Sequence, residues 1–393
     1  MNIRLALANA IQVCLFILLL PVFILIIFPY TRIRIAIKKL FRMKPSILWG
    51  PLAIINISHN RKADRTAGYH SDCLVYMPSR ITQRDMFDYH LERYFSMRYV
   101  TLLVPFMAML WASFRYDIFH FFYSGGFLHI NRFLIIPEFI LWRIVGKRTI
   151  VSAYGGDVRQ EKITRALGTY HAFLDMSHEA VLNESHQTDE QIQKRIKRII
   201  RLANASLSMG DMIEYTPGSM NDLFYWPIDI DDWKPVSRQA SNKVVNLHAP
   251  NHRHYKGSRF LFSVMERLKR EGYPVELVLI ENMSNEIARR HYEQADIIAE
   301  QFIIGWHGFF AVEAMALGKP VLCYIRKPEY LPSWAECPIV NTNPDNLYNN
   351  LVRLITNKQL RDEIGRKGRE YVEKVFSLTA AGKRFDGLYR RIW

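Results

Sequence analysis

Only four cysteines occur in 393 residues (Cys14, Cys73, Cys323 and Cys337), and none forms a CxxC pair. Their spacing suggests neither a disulfide framework nor a zinc knuckle, which fits a catalytic unit kept in a reducing compartment. No repeat of fixed period and no low-complexity tract is present, which removes repeat architectures and disordered arrays. Acidic residues are also short, 37 against 52 lysines and arginines, leaving a formal charge of +15. The excess is dispersed and no RNA- or DNA-binding signature accompanies it, so nucleic acid is set aside as a partner. A surface resting on anionic lipid, or an acidic phosphate-bearing substrate, explains the balance better. With 49% hydrophobic residues and a length beyond one ordinary core, the chain reads as two packed domains.

Charge is absent altogether from Leu5 to Tyr30. That stretch exceeds the ~20 apolar residues needed to cross a hydrocarbon layer of about 30 Å, and Pro21 within it is tolerable in a membrane helix. A cleaved signal peptide fits poorly, since the run is too long and no small-x-small site follows. Arg4 precedes the segment; Arg32, Arg34, Lys38, Lys39, Arg42 and Lys44 follow it. By the positive-inside rule this predicts a single-pass membrane protein whose remaining bulk is cytoplasmic. Over 31–49, Ile33, Ile37, Leu40 and Phe41 recur at helical spacing among the basic residues until Pro45. The pattern predicts an amphipathic helix in the headgroup layer; the alternative is a solvated linker. Two further apolar runs, Val100–Trp111 and Phe133–Val145, read as buried core helices. The first is too short to span, and the second holds Glu138 and Arg143.

Strands are predicted at Leu52–Ile57, Asp117–Phe122, Thr149–Ala153 and Ser206–Met209, alternating with helical stretches, which implies a parallel sheet covered on both faces. A linker follows from Trp226-Pro227-Ile228-Asp229 to Trp233-Lys234-Pro235 and the polar Ser237–Asn242. The second half then runs strand Lys243–His248, helix Ser258–Lys269, strand Val275–Ile280, helix Asn285–Gln294, strand Asp296–Ile304, helix Phe309–Leu317 and strand Pro320–Ile325. That alternation predicts a doubly wound nucleotide-type domain, closed by helices Asn343–Asn357, Lys358–Phe376 and Leu378–Trp393. The division is therefore an anchor at 5–30, a basic segment at 31–49, and an acceptor-side Rossmann-like unit at 50–228. A donor unit at 236–376 and a helix at 377–393 returning to the first unit complete it.

Two loops carry the chemistry. In the turn Asn251-His252-Arg253-His254-Tyr255-Lys256-Gly257-Ser258, Arg253 can grip a diphosphate bidentately and Lys256 adds a point charge. Gly257 lets backbone approach, and the next helix points its N-terminus at the anion. The alternative is a solvated basic turn. The second loop, Gly305-Trp306-His307-Gly308, enters a helix containing Glu313. Its free amides suit a phosphate or a sugar hydroxyl, and Glu313 suits the two hydroxyls of a ribose. The alternative for Glu313 is a buried, satisfied carboxylate.

Arg253, Lys256-Gly257, Gly308 and Glu313-Ala-Met-Ala-Leu-Gly-Lys-Pro-Val resemble the donor half of family-4 glycosyltransferases of the GT-B fold, over about Trp226 to Ile325. Pro227-Ile228-Asp229 is similar to that family's linker. Asp117-Ile118-Phe119-His120 and Ala153-Tyr154-Gly155-Gly156-Asp157-Val158-Arg159 resemble acceptor-side strands and glycine loops of bacterial polysaccharide-type members.

The resemblance implies two Rossmann-like domains facing a cleft, with Arg253 and Lys256 neutralising the leaving diphosphate and Glu313 holding the ribose. It also implies transfer with retention and without a metal or other cofactor. The expected partners are a nucleotide sugar, the membrane, and a lipid-linked or polysaccharide acceptor. One departure stands out: the family's first glutamate, eight positions before Glu313, is Gly305 here. Sugar contact would then fall to the amides of Gly305, Trp306 and His307, or to Glu300 and Gln301. The same departure would suit a weakly active, membrane-tethered subunit that binds nucleotide sugar. Asp229-Ile230-Asp231 has the DxD form but lies in a linker, and Arg253 sits among His248, His252 and His254, so neither is read as a metal site. Asp157 and Arg159 are candidates for acceptor handling or base duty.

Overall fold

A computed structural model describes residues 3–78, 82, 84–97, 100–221, 225–236 and 241–393; part of the polar linker, residues 237–240, lies outside them. Two parallel sheets organise the chain. The first has the order β3-β2-β1-β4-β5-β6, with β1 Ser46–Trp49, β2 His70–Val75, β3 Tyr89–His90, β4 Ile118–Phe122, β5 Arg148–Ser152 and β6 Ala205–Leu207. The second has the order β11-β10-β9-β7-β8, from β7 Val244–His248, β8 Val275–Leu279, β9 Ile297–Gln301, β10 Val321–Cys323 and β11 Val340–Asn341. Both are doubly wound α/β sheets whose strand order reverses once, between β1 and β4 in the first and between β7 and β9 in the second. Ligands of such sheets bind beyond the carboxyl ends of the strands at that reversal.

The first sheet corrects two expectations. The strand expected at Leu52–Ile57 is a turn leading into helix Asn56–Thr66, and the strand itself is β1, a few residues earlier and buried throughout. With side chains buried on both faces, Ser-Ile-Leu-Trp shows no alternation to mark it. The basic segment is likewise no separate helix. One helix runs from Ile3, through a π-turn at Phe23–Ile27, to Leu40. Its last turns face inward: Arg34 and Lys38 reach Asp117 at 2.7 and 2.6 Å, and Lys38 is buried. Asp117, at the foot of β4, needs two cations because it is fully enclosed. By length and composition this N-terminal helix is long and apolar enough to cross a membrane.

The last helix, Leu378–Ile392, lies on helix Asn56–Thr66 of the first unit. Gly382 makes the approach possible, since a Cβ there would fall 2.6 Å from the carbonyl oxygen of Ala63. The Tyr389 hydroxyl donates to Asp64 at 2.8 Å, and Asp64 also accepts from the Trp49 indole at 2.7 Å. Burial pushes the Asp64 carboxyl up to about 7 despite these donors.

Candidate functional site

Between the two sheets lies a cleft of about 660 Å³, bounded by Tyr154, Gly156 and Arg159 of the first unit and by His252, Tyr255 and Lys256 of the second. A second hollow of about 400 Å³ opens beside it, within the second unit, around Pro250, Glu281, Asn285 and Tyr292. Both border the loop after β7, which occupies the reversal point of its sheet.

Lys256 ends a single helical turn, Arg253–Lys256. Gly257 follows in the left-handed region at φ 70°, which lets the chain turn at once into helix Ser258–Arg270. The turn is braced from below. The imidazole of His248 bonds the Ala299 carbonyl at 2.6 Å and the Ser258 hydroxyl at 2.7 Å, which makes it a core group tying β7 to β9. Burial lowers its pKa to about 4, so it is neutral.

Across the reversal, Glu300 at the end of β9 is fully enclosed. Its Oε1 accepts the Gly308 amide at 2.6 Å and lies 3.5 Å from the Lys256 ammonium; its Oε2 has no partner. Gly308 is the residue that permits this, because a Cβ on it would fall 2.5 Å from that same Oε1. The loop after β7 and the loop after β9 are thus joined through one carboxylate. Sequence reasoning named Glu300 only as a substitute sugar contact; its place between lysine and amide follows from the sheet order.

The remaining expected residues divide. Glu313 is buried on helix Phe309–Ala316, and Asn285, on the wall of the smaller hollow, donates to it at 2.9 Å. Burial pushes its carboxyl up to about 7, with Asn285 opposing and Glu300 reinforcing the shift. Arg253 is exposed and its guanidinium is held bidentately by Glu281 at 2.7 and 2.6 Å, so it is turned to the mouth of the hollow. Trp306 and His307 point inward. Trp306 covers Gly210, where a Cβ would fall 2.0 Å from the indole, and His307 packs against Trp226 and Phe376.

Gly305 lies at φ 96°, and a Cβ on it would fall 2.5 Å from the Arg326 guanidinium. Arg326 fills that space and donates to the carbonyls of Ile304 at 2.8 Å and Tyr170 at 3.0 Å, the latter across the cleft. A lone arginine after β10 gave the sequence reading nothing to single it out.

Asp157 is held within its own loop. Its two oxygens accept the amides of Tyr123, Tyr154 and Gly155 at 3.1, 3.0 and 3.0 Å, so it shapes the glycine loop and does not border the cleft. A base needs a free lone pair facing substrate. Its neighbour Arg159 does border the cleft, held by Asp211 at 2.7 Å. In the linker, Asp229 is engaged by Lys62 at 3.1 Å. Among the described residues no group of three or more His, Cys, Asp or Glu side chains is disposed to hold a metal ion.

No protein-family model matches the chain, and no curated protein matches it in sequence. Solved structures do resemble it. HepE of Anabaena in complex with UDP-glucose aligns with a TM-score of 0.54 at 12% identity, over 88% of this chain and 100% of that one. An α-glucosyltransferase in complex with UDP and a 13-mer DNA aligns with a TM-score of 0.57 at 12% identity, over 88% of this chain and 99% of that one. At such identities the likeness is one of fold: two parallel α/β units facing a cleft, the GT-B arrangement.

Proposed function

We propose that this chain is a membrane-attached glycosyltransferase, moving a sugar from a nucleotide sugar to a lipid-linked or polysaccharide acceptor at the cytoplasmic face. The observation that carries the reading is the junction of Lys256, the Gly308 amide and Glu300 at the reversal point of the second sheet, with Glu313 buried beside it. In support, the two solved structures of the same fold hold UDP-glucose and UDP.

In this mechanism the donor's diphosphate lies over the loop after β7. Lys256 and the amides entering helix Phe309–Ala316 meet the negative charge as the sugar–phosphate bond breaks. Arg253 joins them by leaving Glu281; an exposed ion pair is weak in water, and a diphosphate offers more charge. Glu313 accepts from the ribose hydroxyls after Asn285 swings aside. The acceptor hydroxyl enters from the first unit's side, past Arg159, on the face the diphosphate leaves; its oxygen bonds the sugar carbon and its proton passes to the departing diphosphate oxygen, so the sugar's configuration is retained. Lys256 and the recruited Arg253 take the place a divalent ion would have at the leaving group.

Gly305 supports a second reading, a weakly active subunit that binds nucleotide sugar and assists a partner. One assay separates them: purified full chain in detergent with a UDP-sugar and a lipid acceptor, followed by UDP release. Turnover that Glu313→Ala and Arg253→Ala/Lys256→Ala both abolish supports transfer. Nucleotide binding without turnover supports the subunit reading, and near-normal turnover in either variant overturns the site.

A further inference from the structure

The N-terminal helix does not stand clear of the fold. Asn131 donates to the Asn9 carbonyl at 3.1 Å, Phe23 meets Trp142 edge-on at 5.9 Å, and the Tyr30 hydroxyl donates to the Phe114 carbonyl at 2.8 Å. Lys38 closes the series on Asp117. Phe16, Phe23, Ile27 and Thr31 are buried along the same face. From Asn9 to Lys38 this docked length is about 43 Å at roughly 1.5 Å per residue. It exceeds the ~30 Å hydrocarbon layer by itself. A crossing would have to strip the helix from the first unit, or else carry that unit's surface, with Arg132 and Arg143, to membrane depth.

The opposite face points to another arrangement. Leu7, Ile17, Leu18, Leu25 and Ile26 are more than half exposed, and the adjoining unit continues the surface with Phe133, Ile140 and Ile144. Cations rim it: Arg32 lies over Phe28 at 5.3 Å and Arg132 over Phe133 at 5.1 Å, each an apolar contact below a charged head. No acidic residue occurs before Asp64.

We propose that this helix lies along the membrane plane, its outer face sunk in one leaflet of anionic lipid, with both its ends on the side of the catalytic units. The chain is then monotopic, in place of the single crossing that length and charge suggest. The apolar face meets the acyl chains, and the rim of arginines meets the lipid phosphates. The inference rests on the membrane attachment proposed above, and its failure is distinguishable from that reading's failure.

The test uses the full chain with an N-terminal epitope, in spheroplasts and in inverted inner-membrane vesicles. In-plane seating predicts that protease removes both the epitope and the catalytic units from inverted vesicles and neither from spheroplasts. An epitope cleaved only in spheroplasts, with the catalytic units cut only in inverted vesicles, overturns it in favour of a crossing. Asn9→Cys with Asn131→Cys, in a background lacking Cys14, should be joined by a short bifunctional maleimide in the membrane; absence of that link with the epitope exposed outside would show the helix peeled away. A chain recovered wholly in the soluble fraction would overturn membrane attachment itself.

Discussion

Gly308→Ala is a small change with a sharp consequence. Gly308 sits at φ −94° and ψ −178°, extended backbone that alanine adopts freely, so no conformational strain accompanies the substitution. The methyl group would nevertheless fall 2.5 Å from the Oε1 of Glu300 and 3.8 Å from the Lys256 ammonium. Glu300 is enclosed, and its other oxygen already lacks a partner, so it has nowhere to retreat without breaking the 2.6 Å bond from the Gly308 amide. A hydrogen bond to a charged group is worth about 1.5–3 kcal/mol. Lost from the site that positions Lys256, it should lower kcat/KM on the order of 10- to 100-fold, since each ~1.4 kcal/mol is tenfold in rate. UDP release at several donor concentrations reads this directly, and thermal unfolding in detergent reports the stability loss alongside. Turnover within twofold of wild type, with an unchanged unfolding temperature, would show that the carboxylate bridge does not organise the site.

Three further outcomes are expected. The Glu313 carboxyl, raised by burial to about 7 from an ordinary 4.5, keeps its proton in the folded state while the unfolded chain has lost it. Stability should therefore fall as pH rises from about 4.5 to 7 and level off above, by roughly 3 kcal/mol for this group, and Glu313→Gln should flatten that part of the urea-midpoint profile; parallel profiles would refute it. Asp157→Asn places an amide N–H against backbone donors and should cost about 1–3 kcal/mol of stability, while the protein that remains folded turns over normally; a selective loss of kcat would restore a catalytic role. EDTA should leave transfer almost unchanged, whereas a loss of about a hundredfold restored by manganese or magnesium would show the leaving group held by a metal worth about 3 kcal/mol.

The second half was the more legible because its strands and helices alternate regularly. Helix Asn285–Gln294 falls where the pattern puts it, and Ser258–Arg270 and β7 differ by a residue. In the first half, β1 is short and buried on both faces, and β2 opens with His70, Ser71 and Asp72, whose polarity hides a strand. Asp72 is tolerated there because Arg65 of the preceding helix and Tyr116, forty-four residues on, each reach it at 2.7 Å. The helical periodicity after Thr31 holds as far as Leu40, short of the strand at Ser46–Trp49, and it could not reveal that Asp117, some eighty residues on, draws two of those cations inward.

Gly305 illustrates the same limit at the site. Read along the sequence, it is a missing carboxylate. In the fold, its lack of a side chain makes room for a guanidinium that ties the loop after β9 to the Tyr170 carbonyl of the opposite unit. A glutamate at 305 would need both a positive φ and the volume Arg326 occupies, so the two positions are coupled and cannot be read singly. The join between this loop and the first unit is therefore set by a pair formed in space, Gly305 with Arg326, and by neither residue alone.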